Sequence, residues 1–314
     1  MDSLNESTLP QVYDSYESIA PSKYAGKLDG KVALITGTSG GIGRSIAKAF
    51  AAAGASMALV ARREPELLSL VKEIEDAGAT GKAVAIAEDV VEEGAPRRIV
   101  QKTEEALGPV DVLVNNAGIT RIGPVSVEDM KAWWRVYEVN VLAPVSLCRE
   151  VLPSMTKRQT GVLISTSALG TLDQPAMSAY ASSKMALSKF HELLAKKLEA
   201  ESPNTRSYAV YPGFIWTGIG TREGEVNTEQ MQHPAMQKLF GMFSGIDPKE
   251  MKMQTPELCA DTMVALAADP VYAVLSGFHI NAPQELPPLV EEAQKEGHGR
   301  LGAERLHSVK IAAM

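Results

Sequence analysis

The stretch TGTSGGIG, residues 36–43, decides the fold of this 314-residue chain. It follows an apolar run, KVALIT at residues 31–36, and precedes a run with apolar side chains at Ile42, Ile46 and Phe50. The short apolar run is typical of a buried strand, and the later spacing is typical of one face of a helix. The order strand, glycine turn and helix predicts the opening of a βαβ unit.

The same alternation of short apolar runs and longer amphipathic runs continues to residue 211. Strands are predicted at 31–36, 56–61, 83–87, 110–115, 162–166 and 207–211, and helices from residue 42 to Gly54, then at 64–77, 92–107, 127–157 (interrupted near Pro144) and 176–200. Buried strands that alternate with helices predict a parallel sheet with helices on both faces. Right-handed crossovers make this α/β fold a single, doubly wound, Rossmann-type sheet.

Three segments follow from the pattern: an N-terminal extension at 1–30, a dinucleotide-binding catalytic domain at 31–282, and a C-terminal tail at 283–314. The extension shows no periodicity, so it is either loose or wrapped on the core through its tyrosines, which are Tyr13, Tyr16 and Tyr24. The tail either packs on a neighbouring subunit or covers the site.

Composition excludes several classes of protein. The net charge is −7 and no basic block is present, which argues against nucleic acid as a partner. No run of about 18 apolar residues predicts a membrane span, and the N-terminus lacks the layout of a signal peptide. Cys148 and Cys259 are far apart and form no metal-binding or disulfide pattern. We therefore expect a cytoplasmic protein with no metal site.

The glycine turn is a candidate phosphate-binding site. Glycines allow close approach of the backbone, and the N-terminus of the following helix offers free N–H groups and its positive dipole end to a pyrophosphate. The candidate residues are Gly37, Ser39, Gly41, Ile42 and Gly43. A glycine turn without a ligand is the alternative.

The end of the second strand bears on the choice of cofactor. Sites that prefer NAD carry an acid there for the ribose 2′-hydroxyl, but this chain has Ala61 followed by Arg62 and Arg63. Arginine binds a 2′-phosphate in a forked geometry, and the Ser39 hydroxyl can add a contact. The sequence therefore predicts NADP(H), unless both arginines are merely solvated residues at the start of a helix.

Two further loops follow predicted strands. Asp89-Val90 follows the third strand, where an adenine edge can be capped, and Asn116-Ala117-Gly118 follows the fourth. An asparagine there can pin backbone between strands, and Gly118 permits close approach of a ribose. Either group is also compatible with ordinary loop chemistry.

Tyr180 and Lys184 are four residues apart on a predicted helix, so they share one face. Hydride transfer to a carbonyl needs a proton donor at the oxygen, which Tyr180 can be. A neighbouring ammonium and an oxidised nicotinamide are expected to lower the pKa of its phenol from about 10. Lys184 can also bind the nicotinamide ribose.

Two polar residues complete a catalytic set. Ser167 lies 13 residues before Tyr180, just past a strand end and before Gly170, where its hydroxyl can bind the substrate oxygen as charge builds. Asn140 lies inside a helix, where asparagine is unfavourable, and a local kink that holds a water for a proton relay would explain it. Each residue singly is equally compatible with a structural role.

Taken together, these motifs resemble the short-chain dehydrogenase/reductase family over residues 28–282. The matching segments are Thr36 to Gly43, Asn115 to Gly118, Ser167, Tyr180 with Lys184, and Pro212-Gly213 with Thr217. The resemblance implies a catalytic tetrad, NADP(H) as cofactor, and a homodimer or homotetramer. The tetrad consists of Asn140, Ser167, Tyr180 and Lys184.

The resemblance also assigns cofactor-binding roles to the turn after the last predicted strand and to Arg62. It implies that Thr217 and the backbone near Ile215 hold the nicotinamide carboxamide, and that Pro212 and Gly213 belong to the cofactor-binding turn. It also places Arg62 where NADP(H)-preferring members carry a basic residue. The chain departs from the family at Ala143, where a glycine is common, and at 275–281, which lacks the usual Asp-Gly-Gly turn. Its two terminal segments are similar to those of fungal members.

The segment at about 218–254 is predicted to be a lid over the substrate. It holds five of the thirteen methionines, and a short helix is predicted from an apolar repeat; the repeat consists of Met236, Leu239, Phe240 and Phe243. The lid either covers an apolar substrate, to which methionine adapts, or simply packs on the core or a second subunit. Tyr211 and Trp216 are candidate pocket residues.

The predicted function is reduction of a ketone or aldehyde of a small, fairly apolar molecule by NADPH. Three alternatives remain open on the sequence: an NAD(P)-dependent alcohol dehydrogenase that works oxidatively, a protein that senses NADP(H) without turnover, and a non-redox enzyme that uses the same pocket.

Overall fold

A seven-stranded parallel sheet forms the centre of the protein. The structure is a computed structural model that describes residues 10–168, 174–215, 217–241, 244 and 251–295. Across the sheet the strands run in the order β3-β2-β1-β4-β5-β6-β7. Their bounds are β1 Val32–Thr36, β2 Ser56–Ala61, β3 Ala83–Ala87, β4 Val112–Asn115, β5 Gly161–Thr166, β6 Thr205–Tyr211 and β7 His279–Asn281. The predicted doubly wound, single-sheet α/β fold is confirmed.

Helices cover both faces of the sheet. The described helices are α1 Pro21–Tyr24, α2 Gly41–Ala52, α3 Glu64–Asp76, α4 Ala95–Leu107, α5 Met130–Tyr137, α6 Ala143–Arg158, α7 Ser178–Glu201, α8 Pro234–Gly241, α9 Pro256–Ala268 and α10 Leu286–Ala293. Consecutive strand residues alternate between the two cores: Ile35 packs in the core with α2 and α9, and Leu34 packs in the core with α4 and α6. The sheet therefore carries a buried apolar layer on each side.

The long helix predicted at 127–157 is divided in two. A π-helical turn, Glu138–Leu142, lies between α5 and α6, and Pro144 occupies the second position of α6. The irregular turn contains Asn140, whose side-chain amide bonds both backbone groups of Ile119. The expected backbone irregularity at Asn140 is confirmed, and π turns of this kind often mark functional positions.

Both terminal segments pack on the core within the described range. Ile19 and Tyr24 are buried beside α9, and the Tyr16 hydroxyl accepts a hydrogen bond of 2.9 Å from the Leu286 N–H. The Val12 N–H donates to the Pro283 carbonyl at 2.7 Å. Of the two alternatives for the extension, wrapping on the core holds for residues 10–30, and residues 283–295 pack against the same segment. Residues 1–9 and 296–314 lie outside the described range.

No helix in the described part of the chain combines the length and the apolar character needed to cross a membrane.

Candidate active site

The predicted site residues come together at the carboxyl edge of the sheet. Gly37 follows β1, Asn116 follows β4, and Ser167 follows β5. Strand order reverses between β1 and β4, because β2 and β3 lie on one side and β5 to β7 on the other. Ligands of open α/β sheets bind at such a switch point.

The glycine turn has no room for side chains at two positions. A Cβ on Gly43 would lie 2.2 Å from the Gly37 carbonyl oxygen, and one on Gly37 would lie 2.8 Å from the Ala117 backbone nitrogen. Asn116 closes the turn, since its Nδ2 donates to the carbonyls of Thr36 and Gly37 at 3.2 and 3.3 Å. The predicted pinning of backbone by this asparagine is confirmed.

The turn fits the pyrophosphate of a dinucleotide. It leads into α2, which begins at Gly41 and leaves its first N–H groups without helical partners. Thr217 lies beside it, with its Cγ2 3.7 Å from the Cβ that Gly41 lacks. Ile42 and Ile215 pack on the same core beneath. The turn after β6 therefore reaches the turn after β1.

Gln254 anchors this β6 turn. Its Oε1 accepts from the Phe214 N–H at 2.7 Å, and its own N–H donates to the Phe214 carbonyl at 3.1 Å. A Cβ on Gly213, whose φ is +99°, would lie 2.8 Å from the Gln254 side chain. Pro212 and Gly213 are both buried, so the far end of the lid segment holds the turn at 212–214 in place.

Of the two arginines after β2, Arg63 is the one that contacts the glycine turn. Its guanidinium donates to the Ser39 Oγ at 3.1 Å and to the Ser39 carbonyl at 3.3 Å. The resemblance points to Arg62, whose side chain is exposed. Arg63 and Ser39 together form a polar pair at the glycine turn, beside the end of β2.

Asp89 is held by the backbone and by a cation. Its Oδ1 accepts from the Val91 N–H at 3.3 Å, and its Oδ2 accepts from Arg135 at 3.2 Å. Val90, next to it, is buried. The pair thus forms a fixed rim after β3, in the position where the sequence predicts an adenine contact.

Asn140, Lys184 and Gly118 meet near Tyr180. The Lys184 Nζ donates to the Thr166 carbonyl at 2.7 Å and lies 5.9 Å from the centre of the Tyr180 ring. A Cβ on Gly118 would lie 3.3 Å from the Asn140 Oδ1 and 3.5 Å from the Lys184 Nζ. The absence of a side chain at Gly118 therefore leaves the face of both groups open.

Burial dominates the pKa values of Tyr180 and Lys184. Burial raises the pKa of Tyr180 to about 12, with smaller contributions from Tyr211 and Glu225, and it lowers the pKa of Lys184 to about 8. Desolvation therefore dominates the pKa of Tyr180 in the protein without cofactor. The lowering expected from an ammonium together with an oxidised nicotinamide stays a prediction. The positive charge of an oxidised nicotinamide would act in the opposite direction.

Ser167 lies at the expected strand end, but its hydroxyl is directed at α7. The Oγ is buried, 3.1 Å from the Lys184 carbonyl and 2.5 Å from the Ser188 Oγ. A contact with a substrate oxygen therefore requires a change of side-chain rotamer. Ser188 was not singled out from the sequence, because a serine on the helix face of Lys184 carries no distinguishing pattern.

The predicted lid helix is present as α8. Met236 and Leu239 are buried against Ile122 and Ala176, whereas Phe240 is 38% exposed, so only part of the predicted apolar face packs. Phe243, Met242, Trp216 and Gly170 lie outside the described residues.

Sequence reasoning missed the polar base of the lid. Arg121 donates to Glu128 at 2.7 Å within the loop after β4. Glu128 also accepts from the Asn227 side chain at 3.4 Å, so the lid is bonded to a buried ion pair of that loop. Glu225, in the same region, is 5% exposed. In a segment without periodicity, charged residues are expected to be exposed to solvent. No sequence signal therefore distinguished these buried charges from ordinary surface residues.

Comparison with known proteins identifies the family. The short chain dehydrogenase family model matches residues 31–227. A short chain dehydrogenase of Pseudocercospora fijiensis is 48% identical over 311 residues, which is 98% of each chain. The short chain dehydrogenase pigC of Monascus ruber is 33% identical and covers 88% of this chain and 86% of its own length. The resemblance to fungal members of the family is confirmed.

Solved structures agree as well. L-sorbose reductase from Gluconobacter frateurii, complexed with NADPH and L-sorbose, matches with a TM-score of 0.67 and 28% identity over 81% of this chain and 95% of that one. A metagenomic short-chain oxidoreductase in complex with NADP matches with a TM-score of 0.61 and 28% identity over 77% of this chain and 93% of that one. The chain described here belongs to the short-chain dehydrogenase/reductase family and is an oxidoreductase of that family.

Proposed function

We propose that this protein reduces a ketone or aldehyde to the alcohol with NADPH. The observation that carries the proposal is the meeting of Asn140, Lys184 and Gly118 beside Tyr180, at the edge that holds the glycine turn. A proton donor with a pKa of about 12 is protonated at neutral pH, which suits reduction.

Bound NADPH supplies the hydride, which goes to the carbonyl carbon. Tyr180 donates the proton to the carbonyl oxygen, so that the product is a neutral alcohol. The Ser167 hydroxyl, turned from the Lys184 carbonyl, stabilises the charge that develops on that oxygen. Lys184 holds the ribose, and Asn140 keeps the π turn and the Ile119 backbone in place for a proton relay.

The preference for NADP(H) rests on the second strand and the turn. Ala61 ends β2 without a carboxylate that would repel a 2′-phosphate, and Arg63 with Ser39 offers donors to it. The matched solved structures named above contain NADPH or NADP, which supports the same choice.

We also propose a homodimer or homotetramer. Leu142, in the π turn before α6, and Leu193, on α7, are 60% and 55% exposed, and an apolar groove runs between α6 and α7. Its apolar lining includes Val145, Leu152, Pro153, Phe190 and Leu194. A cytoplasmic location is proposed from two free, buried cysteines, Cys148 and Cys259.

Tyr180→Phe tests the proposed reaction. Loss of the proton donor is expected to lower kcat for reduction by about 10³-fold, while the affinity for NADPH stays within about twofold. NADPH oxidation is followed against a panel of ketones, aldehydes and quinones, with thermal shifts for NADP(H) and NAD(H). A Tyr180→Phe protein with wild-type turnover would exclude the proposed chemistry, and product formation without NADPH consumption would indicate a non-redox enzyme.

A further inference from the structure

A buried carboxylate at the base of the lid leaves one oxygen unused. Glu225 is 5% exposed, and its Oε2 accepts from the N–H groups of Gly220 and Arg222 at 2.7 and 3.2 Å. Among the described residues, its Oε1 has no hydrogen-bond partner. The nearest cation is the Arg222 guanidinium at 3.6 Å, too far for a hydrogen bond. Such an atom is costly to bury unless something donates to it.

This carboxylate lies beside the reaction centre. The Glu225 carbonyl accepts from the Ile122 N–H at 2.7 Å, which ties it to the loop that leaves Gly118. The Arg222 guanidinium lies 3.5 Å from the Gly118 carbonyl, and a Cβ on Gly118 would lie 3.5 Å from the Lys184 Nζ. The negative charge of Glu225 also contributes to the raised pKa of Tyr180, so the carboxylate is within electrostatic reach of the phenol.

We propose that Glu225 and Arg222 bind a hydroxyl group of the substrate, so that the substrate is a hydroxy ketone; this rests on the reductase function proposed above. A hydroxyl donates to the Glu225 Oε1 and accepts from the Arg222 guanidinium, which satisfies both groups with one oxygen. A plain ketone, ether or ester oxygen has no proton for the carboxylate. An ammonium would donate, but it would be repelled by the guanidinium.

The surroundings of the polar pair are apolar. Ile122, which is bonded to Glu225 through the backbone, belongs to a buried apolar cluster with Ala176, Met236 and Leu239. The proposed substrate therefore places its hydroxyl at the polar pair and hydrocarbon towards this cluster. The pair Arg222–Glu225 acts on specificity, while Tyr180 carries the chemistry.

Ketone pairs that differ by one hydroxyl test this subsite: hydroxyacetone against acetone, acetoin against butanone, and benzoin against deoxybenzoin. The wild type is expected to prefer the hydroxy member of at least one pair. Glu225→Gln keeps an oxygen for the two backbone N–H groups but puts a donor in place of Oε1. It should lower kcat/KM for the hydroxy ketone by about 10- to 100-fold and leave the deoxy ketone within about twofold.

Two further variants make the result decisive. Glu223→Gln removes the same charge from an exposed position two residues away and should change neither substrate. Arg222→Gln alters a half-exposed side chain, so it tests the subsite even if Glu225→Gln does not fold, and should lower kcat/KM for the hydroxy ketone alone, by about threefold or more.

Each outcome has one meaning. Equal losses on both members of a pair in Glu225→Gln, or in Arg222→Gln if the first variant unfolds, would overturn the subsite. So would a wild type without preference for the hydroxyl, and in both cases the reductase function would stand. If no carbonyl compound in the panel supports NADPH oxidation by the wild type, the proposed function is refuted, and the subsite with it.

Discussion

The turn after β1 and the lid after β6 are both rich in glycine, but their glycines differ in what surrounds them. A Cβ on Gly43 would collide with the Gly37 carbonyl oxygen at 2.2 Å, whereas one on Gly224 or Gly241 would meet nothing within 4 Å. The first region is held by backbone in contact with backbone. The second is joined to the loop after β4 by backbone bonds at Ile122 and by a side-chain contact of Asn227 with Glu128, while these two glycines lie in open space.

This difference determines which substitutions each region tolerates. Backbone contacts leave no rotamer to adjust, so the turn accepts one residue type at its tight positions. Side-chain contacts can be rebuilt with other residues, so the lid can vary while it still covers the same edge. The cofactor end of the site is therefore the constrained part, and the substrate end is the adaptable part.

Gly43→Ala against Gly241→Ala gives the largest expected contrast. Both glycines lie in helices, but only the first has backbone in its way. Gly43→Ala is expected to abolish measurable NADP(H) binding and to cost about 3 kcal/mol or more of unfolding free energy. Gly241→Ala should change neither by more than about 1 kcal/mol, because alanine favours a helix.

Calorimetry of NADPH binding and urea unfolding of both variants measure this contrast. A Gly43→Ala protein that binds NADPH as the wild type does would show that the turn can shift, and the proposed distinction between the two regions would then fail.

The second contrast concerns a buried group of hydrogen-bonded polar side chains in the constrained part of the molecule. His191 bonds Ser165 at 2.6 Å and Ser207 at 2.8 Å, and Ser165 also bonds Asn115 at 3.4 Å. Burial lowers the pKa of His191 from 6.5 to about 3, so the folded protein keeps this imidazole neutral. As pH falls below 6.5 the unfolded chain takes up a proton that the folded chain does not, and stability is lost progressively down to about pH 3.

At pH 5 this loss amounts to about 2 kcal/mol relative to pH 7, since 1.5 pH units lie between 6.5 and 5. Urea unfolding between pH 5 and 8 measures it. His191→Gln should be less stable than the wild type at pH 8, because two serines lose their partner, but its stability should depend less on pH. His233→Gln, in the lid, is the control, because His233 does not belong to this buried hydrogen-bonded group. If the stability of His191→Gln depends on pH as steeply as that of the wild type, His191 is not the group responsible.

The contrast between the regions also explains how far the sequence could predict the structure. The strands at 56–61 and 83–87 and the glycine turn depend on local apolar runs and on one residue type, and they were predicted to the residue. The end of the chain was not predicted: α9 is apolar almost throughout and is packed between α2 and the N-terminal segment, so it shows no amphipathic period. β7 has three residues, too few for a pattern.

The candidate site divides in the same way. Asn140, Ser167, Tyr180 and Lys184 were predicted because several motifs occur in order, and the structure brings them to one edge. The direction of the Ser167 hydroxyl and the pKa of Tyr180 were not predictable, because both depend on burial and on neighbours remote in sequence. Glu225 depends on a lid that pairs with the β4 loop, a contact between residues about a hundred positions apart.

The smallest effect is expected at the exposed edge of the constrained region, where Arg63 and Arg62 give a matched pair. Arg63 donates to Ser39 in the turn, while its side chain is 60% exposed. Arg63→Ala should weaken NADP(H) binding by about tenfold, or 1.4 kcal/mol, and leave NAD(H) binding unchanged, since only NADP(H) carries the 2′-phosphate. Arg62→Ala should weaken it by about two- to threefold, as expected for a remote surface charge.

Salt provides the check on this interpretation. An exposed ion pair with a phosphate is screened, so the difference between Arg63→Ala and wild type should shrink as ionic strength rises to about 1 M, where the Debye length is about 3 Å. Fluorescence titration with NADPH and NADH at low and high salt measures both affinities. An equal loss for the two cofactors would mean that Arg63 holds the turn through Ser39 rather than the phosphate, and a larger loss in Arg62→Ala would move phosphate recognition to the residue that the family resemblance favours.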